Sequence, residues 1–518
     1  MPTLHSLFRD FPVPILSPQN DLPRVTITGI ALDSRQVQPG NLFVALTGGS
    51  TDGHRFIPAA VERGAAAVVG TLRLADVAVP YVQVEDTRRA LAYLSAAYYG
   101  FPARQLTVIG VTGTDGKTTT SNLLYKILQQ AGIQAGMIST VNAVIGDEEI
   151  DTGFHVTTPE APDVQRYLAR MLAAGLTHVV LESTSHGLAQ HRVTACEYDI
   201  GVVTNITHEH LDYHGSYEAY RVAKGILFSS LAHTQPKPGG VPPLAVLNRD
   251  DQSYAYLAEV AQVRQVAYSL NPGSDYSARD IHYEDGRLAF SVDGPGFSVE
   301  LRPNLVGDFN VSNCLAALAA AVSGLGIDPQ VAARGIANLN GVPGRMERID
   351  LGQPFTAVVD FAHTPFALQA ALQTARRMTQ GRVIAVFGSA GLRDRQKRRM
   401  MAAESVQKAD ISILTAEDPR TESLDAILEE MAGAAAAAGG VEGSSFYRVP
   451  DRGAAIRLAL KLARPGDLVI SCGKGHEQSM CFGVTEYHWD DRTAMRAALA
   501  ELLGIPGPEM PYLPTAQT

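Results

Sequence analysis

Apolar positions in this chain fall into short unbroken runs, separated by longer stretches of helical periodicity and closed by glycine or polar residues. Between residues 106 and 250 the runs are LTVIGVTG, THVVLES, YDIGVVTNI and LAVLN, with helical SNLLYKILQQAGI and YEAYRVAKGILF among them. A second series follows residue 340: TAVVDF, RVIAVFG, ISILTA and DLVISCG, again separated by helical segments. Unbroken apolar runs fit strands buried on both faces, and strand–helix alternation builds a mainly parallel sheet with helices on both faces. Residues 25–100 repeat the pattern on a smaller scale through VTITGIALDS, NLFVALTG, helical HRFIPAAVERGA and AAVVG. Within 275–301, DGRLAFSVDGPGFSVEL offers two Gly-punctuated strands of an antiparallel insertion, and HTQPKPGGVPP at 233–243 is a loop by its Pro and Gly content. Seams fall at Phe101-Pro102 and near GVPGRMERID at 341–350. The expected architecture is α/β with three domains, 1–104, 105–340 and 341–518.

A length of 518 residues agrees, being too long for one core. With 46% hydrophobic and 19% charged residues the composition is that of a globular protein, and no apolar run is long enough to span a bilayer. The net charge of −10 argues against nucleic acid as a partner. Cys196, Cys314, Cys472 and Cys481 show neither metal spacing nor a disulfide framework, and MPTLHSLFRDFPVPIL lacks the layout of a signal peptide. A cytoplasmic location is the expectation.

The most informative segment is LTVIGVTGTDGKTTT at 106–120. A strand, then Gly113-Thr114-Asp115-Gly116-Lys117-Thr118-Thr119, then a helix forms an anion site: glycines let backbone N–H groups close on phosphate oxygens, and the helix N-terminus adds partial positive charge. Lys117 supplies a cation, and the Thr118 hydroxyl suits Mg²⁺. Val111 stands where the full P-loop pattern has glycine, so this is a shortened variant that predicts ATP or GTP as ligand.

Magnesium needs hard ligands on rigid supports. Glu182 ends the run THVVLE, followed by the polar Ser183-Thr184-Ser185-His186-Gly187. The next run leads into THEHLDYHG, where His208, His210 and His214 cluster with Glu209 and Asp212. Three close histidines invite a zinc reading, but cysteine is absent nearby and the triphosphate already accounts for a metal. Lys224 lies among apolar neighbours of the next helix. Either its side chain snorkels, or it has a depressed pKa and reacts with CO₂ to give an anionic carbamate able to ligate a cation.

In the last third, each run ends in a polar loop: Asp360-Phe361-Ala362-His363, Gly388-Ser389-Ala390-Gly391, Glu417-Asp418-Pro419-Arg420 and Gly473-Lys474-Gly475-His476-Glu477. Strand C-termini of an open parallel sheet share an edge, so these loops are expected to line one cleft. The basic run Arg393–Arg399 is read as a solvated helix face except for Arg393, placed at the loop–helix junction.

GTDGKTT, HVTTPE, LESTSHGLAQHRV, TNITHEHLDYHGSYEAYRVAK, LVGDFNVSNCLAA, GRMER, VDFAHTP, EDPR and GKGHE, in this order, resemble the Mur ligases of peptidoglycan synthesis, and among them the tripeptide-forming subgroup. The similarity runs from DSRQVQPGNLFVAL near residue 33 to GKGHE near 477. It implies a UDP-sugar-binding N-terminal domain, a central ATPase domain and a Rossmann-like C-terminal domain. The implied reaction is ATP-dependent addition of a dibasic amino acid to UDP-MurNAc-L-Ala-D-Glu through an acyl phosphate; a monomer is the expectation. By position, the resemblance assigns Lys117 and Thr118 to phosphates and Mg²⁺, and Glu182 and His210 to a second Mg²⁺ supported by carbamylated Lys224. Thr157, Thr158, Thr184, Gln190 and Arg192 fall on contacts to the muramoyl dipeptide, and Ser34 on the UDP end. Asn310, Asn313, Arg345 and Asp360 fall on nucleotide contacts, and Arg393, Glu417, Asp418, Arg420, Gly473 and Glu477 on the incoming amino acid.

Arg420 suits a distal carboxylate, whereas Asp418, where diaminopimelate users typically have Asn, favours a distal ammonium. The sequence thus leaves meso-diaminopimelate, L-lysine and L-ornithine open and leans slightly from the first. Rival readings are another ligase of the superfamily, such as a different Mur step or a folylpolyglutamate-type enzyme, and a P-loop binding protein without ligase chemistry.

Overall fold

The computed structural model describes residues 1–9, 11–16, 22–48, 51–150, 158–207, 211–284 and 287–516, the side chains of residues 211, 212 and 287 excepted. The chain divides into two compact units. The first holds Met1–Glu209, Ser216–Tyr268 and Ala316–Ala332; the second holds His210–Gly215, Ser269–Leu315 and Ala333–Thr518.

Two sheets build the first unit. Strands β1 (Gly29–Ala31), β2 (Asn41–Val44), β3 (Ala67–Gly70) and β4 (Tyr81–Gln83) form a small parallel sheet in sequence order. The larger sheet contains β5 (Thr107–Thr112), β6 (Ala135–Ile138), β7 (Ala143–Ile145), β8 (Glu148–Ile150), β9 (His178–Glu182), β10 (Ile200–Val203), β11 (Leu244–Asn248) and β12 (Arg264–Ser269). Their order is β12-β11-β10-β5-β9-β6-β7-β8, parallel from β12 to β6 and antiparallel across β7 and β8. Every residue of β5, β10 and β11 is buried, as their unbroken apolar runs require. Each fully buried Val or Leu there contributes roughly 1.5–3 kcal/mol. In register, Val111 faces Glu182 and Thr112 faces Val203. The C-terminal ends of β9, β5 and β10 therefore stand side by side, which decides where the polar loops meet.

The second unit contains an antiparallel group, β13 (Tyr276–Glu284), β14 (Arg287–Gly294) and β15 (Phe297–Leu301). This is one strand more than the two expected: the last six residues of β13 are exposed and lack an apolar run. Its six-stranded sheet contains β16 (Glu347–Ile349), β17 (Thr356–Asp360), β18 (Val383–Phe387), β19 (Ile411–Leu414), β20 (Phe446–Arg448) and β21 (Leu468–Cys472), in the order β16-β17-β21-β18-β19-β20. All are parallel except β16. Alternate residues serve opposite cores: Val358, Ala385, Phe387 and Ile470 on one face, Val359, Ile384, Val386 and Val469 on the other. A hairpin of β22 (Ser479–Phe482) and β23 (Thr485–His488) follows. Among the described residues no helix is long and apolar enough to cross a membrane.

Candidate active site

The loop after β5 is folded against the exit of β10. Gly113 has φ of 150°, and a Cβ there would lie 1.8 Å from the Thr204 hydroxyl oxygen. Only glycine allows so close a pass. The Thr114 amide donates to the Asn205 carbonyl at 2.7 Å, the Asp115 amide donates to Asn205 Oδ1 at 3.0 Å, and Thr204 Oγ1 donates back to the Asp115 carbonyl at 2.6 Å. Gly116, at φ 83°, opens the helix Lys117–Gln130 with no side-chain cap. Its first N–H groups are thus claimed by no capping side chain, the arrangement that receives an anion. Lys117 Nζ donates to the Thr114 carbonyl at 2.7 Å, and so lies over the loop.

Glu182, at the end of β9, is fully buried. Its carboxylate accepts from Thr118 Oγ1 at 3.1 Å, from Thr140 Oγ1 at 2.7 Å and from the Thr140 amide at 3.0 Å. A buried carboxylate joined to the P-loop threonine is a hard-oxygen donor set of the kind magnesium takes. Sequence reasoning missed Thr140; the signal was AGMIST, a short apolar run ending in hydroxyl residues on the same sheet edge.

Lys224, on the helix Tyr217–Ser230, does not snorkel. It is buried, its Nζ donates to the Gly113 carbonyl at 2.6 Å and it stands 4.5 Å from the Tyr220 ring centroid. Tyr220 in turn bonds Thr114 through its hydroxyl at 3.0 Å, so this helix backs the phosphate loop. His208, His210 and Thr157 lie outside the described residues, and among the described residues no cluster of three His, Cys, Asp or Glu forms a metal site.

Next to Glu182 sits a second cluster. Thr158 Oγ1 meets Thr184 Oγ1 at 3.0 Å and the Glu182 carbonyl at 3.3 Å. Arg192 donates to the Thr158 carbonyl at 2.8 Å, to Gln190 Oε1 at 2.7 Å and pairs with Glu160 at 3.0 Å. Thr158, Thr184, Gln190 and Arg192 are thereby one connected group. Ser34 opens the short helix Ser34–Gln36 between β1 and β2, and no described contact links it to this group.

In the second unit the C-terminal ends of β17, β21, β18 and β19 share one edge, as strand alternation predicted. Their loops touch: the Gly473 amide donates to the Asp360 carbonyl at 3.1 Å, and a Cβ on Gly473 would lie 2.5 Å from Glu417 Oε2. Burial pushes the Glu417 carboxyl above its ordinary pKa, and among the described residues its Oε2 has no hydrogen-bond partner. Asp360 accepts amides from Met346 at 2.7 Å and Ala362 at 2.8 Å, and burial raises its pKa too. The Arg345 guanidinium lies 4.3 Å above the Phe361 ring. On the helix Phe309–Ala319, Asn313 donates to Asn310 Oδ1 at 2.9 Å.

Lys474 Nζ is fully buried, 3.0 Å from Asp418 and 2.5 Å from Glu477. Asp418 Oδ1 also accepts the Cys481 amide at 3.0 Å. The charge that favoured a distal ammonium is therefore already met from within the protein. Among the described residues no carboxylate pairs with the Arg420 guanidinium. Asp418 and Arg420 hold φ of 39° and 54°, a left-handed strain of the kind that gathers at ligand sites. His476 was passed over although GKGHE contains it: it is buried, packs 4.8 Å from Phe361, and burial with Arg345 nearby holds its pKa well below the usual value.

Arg393 precedes the helix Arg395–Lys408 and its N-cap Asp394, as expected. One member of the basic run needs correcting, while Arg395 and Arg399 are exposed as expected. Arg398 is fully buried and pairs with Glu422 and Glu430, both at 3.0 Å, so it is a core ion pair and not part of a solvated face.

Three segments match known families: residues 26–99 the Mur ligase family, catalytic domain; 111–321 the Mur ligase middle domain; and 344–475 the Mur ligase, glutamate ligase domain. A UDP-N-acetylmuramyl-tripeptide synthetase of Roseiflexus sp. (strain RS-1) is 44% identical over 485 residues, 92% of this chain and 95% of the relative. The chain belongs to the Mur ligase family. Another Mur ligase, the UDP-N-acetylmuramoyl-L-alanyl-D-glutamate--2,6-diaminopimelate ligase of Geobacillus thermodenitrificans (strain NG80-2), is 42% identical over 475 residues, 92% of this chain and 95% of its own. A solved structure of a ligase with that same activity in its name superposes with a TM-score of 0.65 at 31% identity, covering 94% of this chain and 98% of the other. The folylpolyglutamate synthase of Mycobacterium tuberculosis in complex with ADP and AMPPCP shares the Mur ligase fold, with a TM-score of 0.62 at 17% identity over 81% of this chain and 96% of the other.

Proposed function

We propose that this Mur ligase joins diaminopimelate to the D-Glu carboxyl of UDP-MurNAc-L-Ala-D-Glu, with cleavage of ATP to ADP and phosphate. The observation that carries the reading is the meeting, at one sheet edge, of a phosphate loop and the buried carboxylate of Glu182. A carboxylate is a poor electrophile because oxide would have to leave. Transfer of the γ-phosphoryl group to it gives an acyl phosphate; the amine of the incoming amino acid then attacks the carbonyl carbon, loses a proton, and phosphate departs. Lys117 and the uncapped helix N-terminus draw the phosphates toward an acceptor that is itself an anion, which requires charge neutralisation at short range. Thr118, Glu182 and His210 would hold Mg²⁺, which supplies the rest of that neutralisation. Lys224 is proposed to be carbamylated; a carbamate nitrogen keeps one N–H, so its bond to the Gly113 carbonyl survives the modification.

Thr157, Thr158, Thr184, Gln190 and Arg192 are assigned to the peptide end of the muramoyl substrate and Ser34 to its uridine end. Asn310, Asn313, Arg345 and Asp360 are assigned to the nucleotide. Arg393, Glu417, Arg420, Gly473 and Glu477 are assigned to the amino acid. Because Lys474 already answers Asp418, the open guanidinium of Arg420 supports a substrate with a distal carboxylate. The three-domain division at residues 104 and 340, a monomeric state and a cytoplasmic location belong to the same reading.

The test is phosphate release with each co-substrate omitted in turn, followed by a panel of amino acids. Release is expected only with both the muramoyl dipeptide and a diamino acid present, with diaminopimelate preferred. Hydrolysis indifferent to any acceptor would overturn the ligase assignment, and preference for a neutral or acidic side chain would overturn the substrate.

A further inference from the structure

Where the sequence places an extra carboxylate in the amino-acid loop, the fold places a buried ammonium against it. Lys474 has no exposed side-chain surface, lies 3.0 Å from Asp418 and 2.5 Å from Glu477, and sits between two loops already assigned to the amino acid. The Asp418 loop is held on its other side by the β22–β23 hairpin: Cys481 donates its amide to Asp418 Oδ1 at 3.0 Å and accepts the Arg420 amide at 3.1 Å. Asp418 and Arg420 are thus fixed by the same short strand; Asp418 has Lys474 as a counterion, whereas among the described residues no carboxylate pairs with the Arg420 guanidinium.

We infer that Lys474 is a specificity-determining residue that does not touch substrate: it offsets the charge of Asp418, so that the pocket beside Arg420 accepts a distal carboxylate that the aspartate would otherwise repel. This rests on the proposed diaminopimelate ligase function. Counting Lys474, Asp418 and Glu477 together, the group carries a net charge of −1. Asp418→Asn brings it to 0, Lys474→Gln to −2, and the double variant back to −1. A charge within several ångströms of the distal group, at the effective dielectric near a protein surface, is worth a factor of about 10–30 in discrimination between a substrate with the distal carboxylate and one without it.

The experiment measures kcat/KM of the full-length enzyme, with ATP, Mg²⁺ and UDP-MurNAc-L-Ala-D-Glu, for meso-diaminopimelate and for L-lysine. The α-amino and α-carboxylate groups are common to both, so effects on their binding cancel in the ratio. The diaminopimelate-to-lysine ratio is expected to fall about 10–30-fold in Lys474→Gln, to return to within about threefold of wild type in the double variant, and to hold or rise in Asp418→Asn. An unchanged ratio in a folded, active Lys474→Gln enzyme would overturn the inference, as would failure of the double variant to restore it. If Lys474→Gln does not fold, Asp418→Asn alone decides: a fall in its ratio shows that Asp418 does not oppose the distal carboxylate and removes the role given to Lys474. Wild-type enzyme that turns over neither amino acid counts against the ligase reading itself, whereas turnover with a ratio deaf to these charges counts only against Lys474.

Discussion

At residue scale the phosphate loop depends on an absent side chain. Any Cβ at position 113 meets Thr204, whose hydroxyl is already used to hold the Asp115 carbonyl, and the φ of 150° is unfavourable for an L side chain. Gly113→Ala is expected to raise the Kd for ATP about tenfold or more, read by titration with a fluorescent nucleotide; unchanged affinity would show that the loop relaxes freely. Lys224 separates two roles that its position combines. Lys224→Ala is expected to abolish ligation while ATP binding stays nearly intact. Lys224→Arg keeps a cationic donor for the Gly113 carbonyl but has no amine able to take up CO₂. An inactive arginine variant, with wild-type activity that falls in CO₂-free buffer and returns with bicarbonate, supports the carbamate; an active one removes it. Lys117, Thr118 and Glu182 were legible because a glycine turn between strand and helix, and a strand-end carboxylate, are local patterns. Thr140 and Lys474 were not, because their significance lies in partners 42 and 56 residues away.

At the scale of elements, the buried strands announced themselves and the half-exposed ones did not. β5, β9, β10, β11, β17, β18, β19 and β21 are unbroken apolar runs closed by polar loops, since both faces of their sheets are covered. β16 and β20 lie at sheet margins and are three residues long, β13 is largely exposed, and none of the three carries an apolar run. The helix Arg395–Lys408 misled in the opposite sense: its sequence is mostly polar, yet Arg398 reaches inward to Glu422 and Glu430, and Arg395 pairs with Glu430 as well. Hydrogen bonding from Arg398 and from the Leu392 amide holds the Glu422 carboxyl at about 2, below an ordinary 4.5. A depressed carboxylate stabilises the fold above its unfolded pKa and loses that contribution as pH falls through its folded one. The stability deficit of Glu422→Gln, measured by urea melts, is therefore expected to be largest above about pH 5 and to narrow steadily toward pH 3. A deficit independent of pH would mean that the carboxylate acts by shape and not by charge.

At the scale of the whole molecule, the division into two units makes the chain's single tryptophan a reporter of one of them. Trp489 is fully buried in the second unit, and its indole N–H donates to Asp491 at 2.8 Å. The same aspartate binds Arg452 through two bonds, 2.7 and 2.6 Å, and neither side chain has any exposure. Arg452 also donates to the Ala416 carbonyl at 3.1 Å and the Cys472 carbonyl at 2.8 Å. It thus ties together the strand ends from which the Glu417 and Gly473 loops depart. Removing one member of such a pair strands a buried charge and costs about 3–5 kcal/mol, whereas replacing both with apolar groups returns much of it. Arg452→Met is expected to move the urea transition seen by Trp489 emission down by about that amount. Arg452→Met with Asp491→Leu is expected to recover more than half of the loss. Cys196, buried in the first unit, is expected to stay protected from a thiol reagent, read by peptide mass spectrometry, at urea concentrations where the variant's tryptophan signal is already lost. Loss of both signals in a single transition would mean that the units unfold together, and the tryptophan would then report the cooperativity of the entire chain.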